Sequence, residues 1–455
     1  MNITFSTDKI KGQERKAILQ IVQDQAKTAA LEAIRPILQS TLEAELQVKL
    51  GRAKYVARTV SSQPRLCDWQ CAGCGCVDAN QFIRDGHYQR QLQTGWGTLN
   101  HLKIPMVECV KCGHDVRVYW TILEKYQHFW LDLDHKALFG SGFQHSLRQM
   151  AQEWSVMLGS SVGLRSIEER INRLEPLVLK SHQAALIKIP PVVQFDGIWF
   201  SLQTQTDLIK QDKRGRQRRV HRGERRVVLV ALGLWPDGTR QIIDWDVAKA
   251  EDQASWETLL NRLYERGLQP EGGLKVIVRD GGGGLGEAVA LVYGGQVIEQ
   301  RCIFHKLQNV HRDCSRPTKE DQAGQARRKA FLGEAQAIYQ AESAEEALSR
   351  LKALEEKWVE LEPKAVVTMG RDFEQTIAYY QLEPELQVLA RSTSRLERTN
   401  RELRRKFNQV GSYGSERGAS VGIYLQIERL NGQWVNESWW EVSQELLYAL
   451  FDINP

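Results

Sequence analysis

A multidomain α/β architecture is what the sequence predicts, on three observations. Residues 189–302 alternate apolar strand-like runs with turn residues and one amphipathic helix, residues 313–390 are polar and helical in pattern, and six of the eight cysteines fall between positions 67 and 112. The first predicts a sheet core, the second an all-α insertion in it, and the third a small metal-closed module ahead of it. The 455 residues allow two to four domains, and 42% apolar with 26% charged residues excludes a disordered or collagen-like chain. No run approaches the ~18 apolar residues of a membrane span, and Met1-Asn-Ile-Thr-Phe-Ser-Thr-Asp8 is no signal peptide, so a cytoplasmic protein is expected.

Residues 12–50 read as helix, with Ala17, Ile18, Ile21, Val22, Ala29, Leu31, Ile34 and Leu38 at three-to-four spacing. Pro36 is expected to kink or divide this run, and Gly51 to end its second part. Cys71-x-x-Cys74 and Cys109-x-x-Cys112-Gly113 then flank a stretch, Arg90 to Ile104, that suits a hairpin around Gly95-Trp96-Gly97. Two such knuckles separated by strands close a zinc ribbon, each presenting two thiolates to structural Zn²⁺; Cys67 and Cys76 leave the ligand choice open. Leu147, Met150, Ala151 and Trp154 suit one helix and Ser166–Leu174 another, separated by a Gly/Ser turn. That order fits helix-turn-helix DNA docking, and equally any αα-hairpin.

Pro190–Leu202, Arg226–Trp235 and Thr239–Asp246 read as three strands, Ser255–Arg266 as a helix, and Leu274–Asp280 as a buried strand. Three antiparallel-looking strands, a helix and a further strand make the RNase H-like order. The expected boundaries are 1–60 helical, 61–120 zinc ribbon, 121–188 helical and helix-turn-helix-like, 189–312 first part of the RNase H-like core, 313–390 insertion, and 391–455 a basic helix with C-terminal helices.

Asp196 sits mid-strand among Val193, Phe195, Ile198 and Trp199, where a carboxylate is costly unless paired or metal-bound. Asp280 ends a strand before Gly281–Gly284, and Glu397 lies on the helix Arg395-Leu-Glu-Arg-Thr-Asn-Arg-Glu-Leu-Arg-Arg405. Alone, each has a plainer reading, a turn aspartate or a solvated helical ion pair. Converging, the three can hold two Mg²⁺ (or Mn²⁺) ions for phosphodiester cleavage.

Several linked stretches resemble the Mutator-type bacterial insertion-sequence transposases. They are Trp256…Leu263-Tyr-Glu-Arg266-Gly267-Leu268, Val276-Ile-Val-Arg-Asp280-Gly281 with Leu285-Gly286-Glu-Ala288, Gln300-Arg301-Cys302-Ile-Phe-His305-Lys-Leu-Gln-Asn309-Val310, and Ser392-Thr-Ser-Arg-Leu-Glu397-Arg-Thr-Asn400-Arg-Glu-Leu-Arg404-Arg405. The resemblance covers roughly residues 190–430. It implies a DDE transposase with an RNase H-like fold, a helical insertion before the glutamate, and Asp196, Asp280 and Glu397 as the catalytic, Mg-binding acids. The glycine run after Asp280 departs from the family pattern and predicts an unusually mobile site. The N-terminal CxxC ribbon resembles related insertion-sequence subgroups more than the best-known members. Cys302-x-x-His305 matches a Cys/His pair of the family, either a metal pair or packed structural residues.

Net charge is only +5, but the bases cluster. Residues 210–226 carry nine bases against two acids, with Lys210, Lys213, Arg214, Arg216, Arg218, Arg219 and Arg222 expected to clamp DNA phosphates from between the first two strands. Arg398, Arg401, Arg404, Arg405 and Lys406 extend this along the Glu397 helix, although Arg401 also suits an ion pair with Glu397. Trp256 and Trp358 are expected in the core rather than stacked on bases.

The resulting expectation is an insertion-sequence transposase that binds terminal inverted repeats, cleaves DNA, and joins the freed 3′-hydroxyl to target DNA. It acts as a homodimer or higher homo-oligomer and is nucleoid-associated in a bacterial cytoplasm. The alternatives are an inactive DNA-binding regulator and an RNase H-like nuclease without strand transfer.

Overall fold

The computed structural model describes residues 12–58, 63–123, 127–128, 131–143, 145–211, 213, and 215–453. The chain divides into two compact units: residues 1–140, 147–171 and 447–455 form one, and residues 141–146 and 172–446 the other.

In the first unit, helix α1 spans Gly12–Leu50 as one element with Pro36 inside it, so the proline does not divide the run. The reason is packing. Leu38, Leu42, Leu46 and Leu50 recur every four residues and are buried, and this stripe offsets the ~3 kcal/mol that an internal proline costs. Leu38 and Leu42 pack with Leu92, Leu99, Leu102 and Ile104. Leu46 and Leu50 pack with Trp69, Phe82, Val107 and Val116. Those residues belong to strands β1 (Phe82–Thr94), β2 (Gly97–Cys109) and β3 (Asp115–Val116), an antiparallel sheet in that order, turning at Gly95 and Trp96 as the spacing predicts. Helix α2 spans Leu131–Gly142. Helices α3 (Leu147–Leu158) and α4 (Leu164–Asn172) follow, separated by a turn in which Gly159 has φ +68°. Met150, Ala151, Trp154 and Leu158 form the buried face of α3.

The second unit opens with α5 (Glu175–Gln183) and a five-stranded mixed sheet. Its strands are β4 (Val192–Gln211), β5 (Gln217–Leu234), β6 (Arg240–Ala248), β7 (Val276–Arg279) and β8 (Ile298–Arg301), in spatial order β6-β5-β4-β7-β8. The β6/β5/β4 pairs are antiparallel, and β4/β7 and β7/β8 are parallel. Parallel neighbours need crossovers, supplied by α6 (Gln253–Glu265) and α7 (Gly283–Tyr293). Both helices bury their apolar stripes on one face of the sheet. Trp256, Leu259, Leu260, Leu263, Leu285, Ala288 and Val289 cluster with Val193, Phe195, Val227, Leu229 and Ala231 there. Trp256 meets Phe195 edge-on at 6.0 Å, a core role as expected.

After β8 come α8 (Ile303–Asp313), α9 (Gln322–Ile338), α10 (Ala344–Trp358), α11 (Pro363–Gly370), α12 (Phe373–Thr376) and α13 (Pro384–Ala390). Trp358 is buried there, its Nε1 donating to Glu334 at 2.8 Å. The chain ends with α14 (Ser394–Val410), α15 (Glu416–Trp434) and α16 (Trp439–Ile453). Among the described residues, no helix is long and apolar enough to cross a membrane.

Strands β4 and β5 run far beyond the sheet. The basic segment expected between them is instead largely their own outer half, with Lys210 opposite Arg218 and Thr204 opposite Arg222. Backbone pairing continues because each strand satisfies the other's N–H and C=O groups even where the side chains favour water.

Candidate active site and thiol cluster

The parallel pairing of β4 with β7 sets Val192 beside Val276 and Gln194 beside Val278. The ladder ends there, and two residues further along each segment Asp196 and Asp280 are near enough for the Asp280 charge to act on the Asp196 carboxyl. Both carboxylates are half-buried. Burial pushes the Asp196 carboxyl above its ordinary value, and Asp280 adds to this, while His305, the Gly197 N–H and Asn400 pull the other way. Gly197 N–H donates to Asp196 Oδ1 at 2.9 Å, and Asn400 Nδ2 donates to Oδ2 at 2.6 Å. Gly282 N–H donates to Asp280 Oδ1 at 2.9 Å.

The glycine run is an ordered helix start rather than a long loop. Gly282 caps α7, and Gly283 and Gly284 form its first turn. Glycine is needed for close approach: a Cβ on Gly284 would lie 2.9–3.1 Å from backbone atoms of Gln253, Asp252 and Glu251. Backbone cannot swing aside as a side chain does. Gly284→Ala is therefore expected to cost about 1–3 kcal/mol, read as a lowered urea midpoint at unchanged m-value.

Glu397 comes from α14, whose buried stripe is Leu396, Thr399, Asn400, Leu403, Lys406 and Phe407. The helix is seated on β4 through Gln194, which donates to Leu389 O and Ser392 O and accepts from Leu396 N–H. Asn400 lies three residues after Glu397, hence on the same face, and binds Asp196. At the start of α14, Thr393 Oγ1 lies 3.2 Å from both Cys302 Sγ and Glu397 Oε1 and 3.5 Å from His305 Nδ1. His305 Nε2 is 3.7 Å from Glu397 Oε1. Ligating atoms of Cys302, His305 and Glu397 lie within 4.8 Å of one another, a tighter group than the three acids form. Its hydrogen bond with Cys302 raises His305 to about 9 against the effect of burial, helped by Glu397 and Asp196. Burial pushes the Cys302 thiol up, but His305 and Thr393 outweigh it and leave it below the ordinary value.

Three neighbours escaped the sequence reading. Asn400 and Thr393 were discoverable from helical spacing around Glu397. Glu251 was not, since it lies between β6 and α6. A Cβ on Gly197 would fall 2.5–2.8 Å from its carboxylate, so Gly197 makes room for it. Burial pushes the Glu251 carboxyl up, Asp280 and Asp196 reinforce this, and a hydrogen bond from Trp199 opposes it.

Of the expected bases, Lys210, Lys213, Arg216, Arg218, Arg219 and Arg222 are exposed on the β4–β5 extension, and Arg214 lies outside the described residues. Arg398, Arg401, Arg404 and Arg405 are exposed on α14, with Arg405 bonded to Glu402 at 2.7 Å. Lys406 departs from the expectation. It falls on the buried stripe, where its Nζ donates to Ser141 O at 2.6 Å and His145 O at 3.1 Å, and burial lowers it to about 7. Arg226 also turns inward, paired with Glu224 at 2.8 Å.

In the first unit, Cys71 Sγ lies 3.4 Å from Cys112 Sγ and Cys74 Sγ 3.6 Å from Cys109 Sγ, all four sulfurs within 4.8 Å of one another. Four thiolates at ~2.3 Å from one tetrahedral Zn²⁺ would stand ~3.8 Å apart, so the spacing fits. The N–H of Cys74 pulls the Cys71 thiol down to about 6, whereas burial and the neighbouring thiols push Cys109 up to about 12. Cys67 Sγ instead faces Val77 O at 3.0 Å and Trp69 O at 3.3 Å.

The mixed sheet thus carries acidic groups where its central strand β4 adjoins β7, and the other unit carries a four-cysteine cluster. The family model described as "Transposase, Mutator family" matches residues 70–437, and the chain belongs to that family. It is 26% identical over 422 residues to the transposase for insertion sequence element ISRM5 of Rhizobium meliloti, covering 91% of this chain and 89% of that one. It is 27% identical over 425 residues to the IS1201 transposase of Lactobacillus helveticus, covering 93% and 95%. The IS256 transposase of Tn4001 from Staphylococcus aureus is 24% identical over 371 residues, covering 80% and 84%.

Proposed function

We propose that this chain is a DDE transposase with an RNase H-like core that cleaves the ends of its element and joins them to target DNA. The observation that supports this reading is the surroundings of Asp196: the Asp280 charge acts on its carboxyl, and Asn400 ties it to the helix of Glu397. The residues fit divalent cations. The donors are all oxygen, and burial with the Asp280 charge raises both Asp196 and Glu251 despite the groups that oppose it. Asp196, Asp280 and Glu397 would hold Mg²⁺ or Mn²⁺, which when bound activates the attacking oxygen and stabilises the leaving one.

The chain's own groups prepare the site. Gly197 N–H and Asn400 orient the two Asp196 oxygens, Gly282 N–H orients Asp280, and Thr393 buttresses Glu397 beside His305. The exposed arginines of α14 and of the β4–β5 extension neutralise phosphates near these acids. Cys71, Cys74, Cys109 and Cys112 would hold structural Zn²⁺, and the module they close, with α3 and α4, would recognise the terminal inverted repeats. Joining two ends calls for a homodimer or higher oligomer.

The test incubates the purified protein and Mg²⁺ with duplex carrying the DNA that flanks its reading frame, plus a target plasmid. Cleavage to a 3′-hydroxyl followed by joined product is expected. Binding without cleavage would replace this reading with a regulator, and cleavage without joining with a nuclease. In the same assay Asn400→Ala is expected to slow cleavage ~10–100-fold with end binding unchanged, since it frees Asp196 without removing an acid.

A further inference from the structure

The β4–β5 extension is more than a set of positive charges. Strand β6 pairs with β5 only over Val227–Leu234, and β7 with β4 only over Val192–Gln194. Among the described residues, the outer parts of both strands therefore pair in the sheet only with each other. The root of this ribbon is held firmly. Phe200 packs on Phe407 and Tyr413 at 5.3 and 5.7 Å, Gln203 N–H donates to Tyr413 O at 2.8 Å, and Tyr413 N–H donates to Ser201 O at 3.0 Å. From Thr204 to Gln211, at ~3.3 Å per residue, the ribbon reaches roughly 25 Å outward.

Its side chains are arranged on two faces. Successive residues of a strand alternate, so Arg218 and Arg222, with Lys210 opposite Arg218, share one face, and Arg219, opposite Ile209, points to the other. Between Gln205 and Ile209 the register slips, a bulge pinned by Thr206 Oγ1 donating to Val220 O at 2.8 Å. Leu208 in the bulge and Ile209 at the first pair after it are 66% and 59% exposed amid the bases. Bases along two open edges also discourage sheet-to-sheet aggregation. That role does not account for two exposed aliphatic side chains at the same place, which work against it. Lying flat on a phosphate backbone would use one charged face and leave the other idle.

We propose, building on the reading of this chain as a DNA transposase, that the outer β4–β5 ribbon inserts into the major groove of duplex DNA, with Lys210, Arg218, Arg219 and Arg222 reaching the flanking phosphates and Leu208 and Ile209 touching base edges. Strands ~4.8 Å apart with side chains on both faces suit a groove ~12 Å wide and not one ~6 Å wide. The aliphatic pair matches the thymine methyl, which is displayed only there.

The experiment measures binding of the full-length protein to a mixed-sequence 30-base-pair duplex across a salt series, with methyl green as major-groove and netropsin as minor-groove competitor. Methyl green is expected to displace the protein and netropsin to leave it bound. Arg218→Gln with Arg222→Gln is expected to reduce the slope of log K against log salt by about 2. Leu208→Ser with Ile209→Ser is expected to weaken binding ~3–10-fold with the slope unchanged, the mark of a contact made to bases rather than phosphates. Competition by netropsin alone, or binding unchanged in both variants whose circular dichroism matches the wild type, would overturn the groove assignment while leaving the transposase reading intact. Failure of the wild type to bind duplex at all would overturn both.

Discussion

Asp196→Asn is expected to reduce cleavage and strand transfer by ~10³-fold or more, about 4 kcal/mol of transition-state stabilisation, while end binding stays at the wild-type level. The substitution keeps the volume of the side chain and the bond from Gly197 N–H to its oxygen. What it removes is the charge and the oxygen that accepts from Asn400, whose amide flips to accept through its own unpartnered oxygen instead. The same reasoning gives a second readout with the opposite sign. Burial and Asp280 both hold the Asp196 carboxyl above its ordinary value, so ionising it works against folding, and stability from this group falls as pH rises through that elevated value. The asparagine variant is therefore expected to melt no lower than wild type near pH 7.5. Adding Mg²⁺ should raise the melting temperature of the wild type and not that of the variant, since a ligand stabilises only what it binds. A variant that retained strand transfer would remove Asp196 from the catalytic set.

Cys109→Ser is expected to lower bound zinc from one ion per chain to none and to open the first unit to protease, leaving the second unit intact. The physical reason is the size of the module. Its core is a few side chains, Leu46, Leu50, Trp69, Phe82, Val107 and Val116, beside four sulfurs in mutual contact. Zinc binding by such ribbons supplies on the order of 10–16 kcal/mol, more than so small a core contributes. Buried Cys109, pushed up to about 12 without a cation, is the thiol that most needs one. Metal analysis and limited proteolysis read both effects. Full zinc occupancy in the variant would shift the fourth ligand to Cys67 or Cys76.

The strand order and the candidate residues were legible in the sequence, for identifiable reasons. A carboxylate amid Val193, Phe195 and Ile198 conflicts with its own strand, and such conflicts mark sites. The paired CxxC spacing encodes a turn geometry that packing does not override. What escaped was decided by tertiary partners. Glu251 enters the acidic edge because Gly197 lacks a side chain, a fact about space between distant segments. The strands outran their expected ends because each is the other's hydrogen-bonding partner, whatever the charge of Arg218 or Lys210. Pro36 was tolerated because leucines beyond it found a sheet to cover. Lys406 reads by composition with its basic neighbours, although helical phase turns it inward.

The seating of α14 on β4 has a temporal consequence. Gln194 and Asp196 wait for Leu396 and Asn400, about two hundred positions later, before their contacts can close. A growing polypeptide leaves the ribosome from its N-terminal end, so the cysteine module and β4 emerge well before α14, which carries Glu397. On the function proposed above, a product terminated before α14 would bind its element without cutting it and would compete with the full-length chain for the same ends.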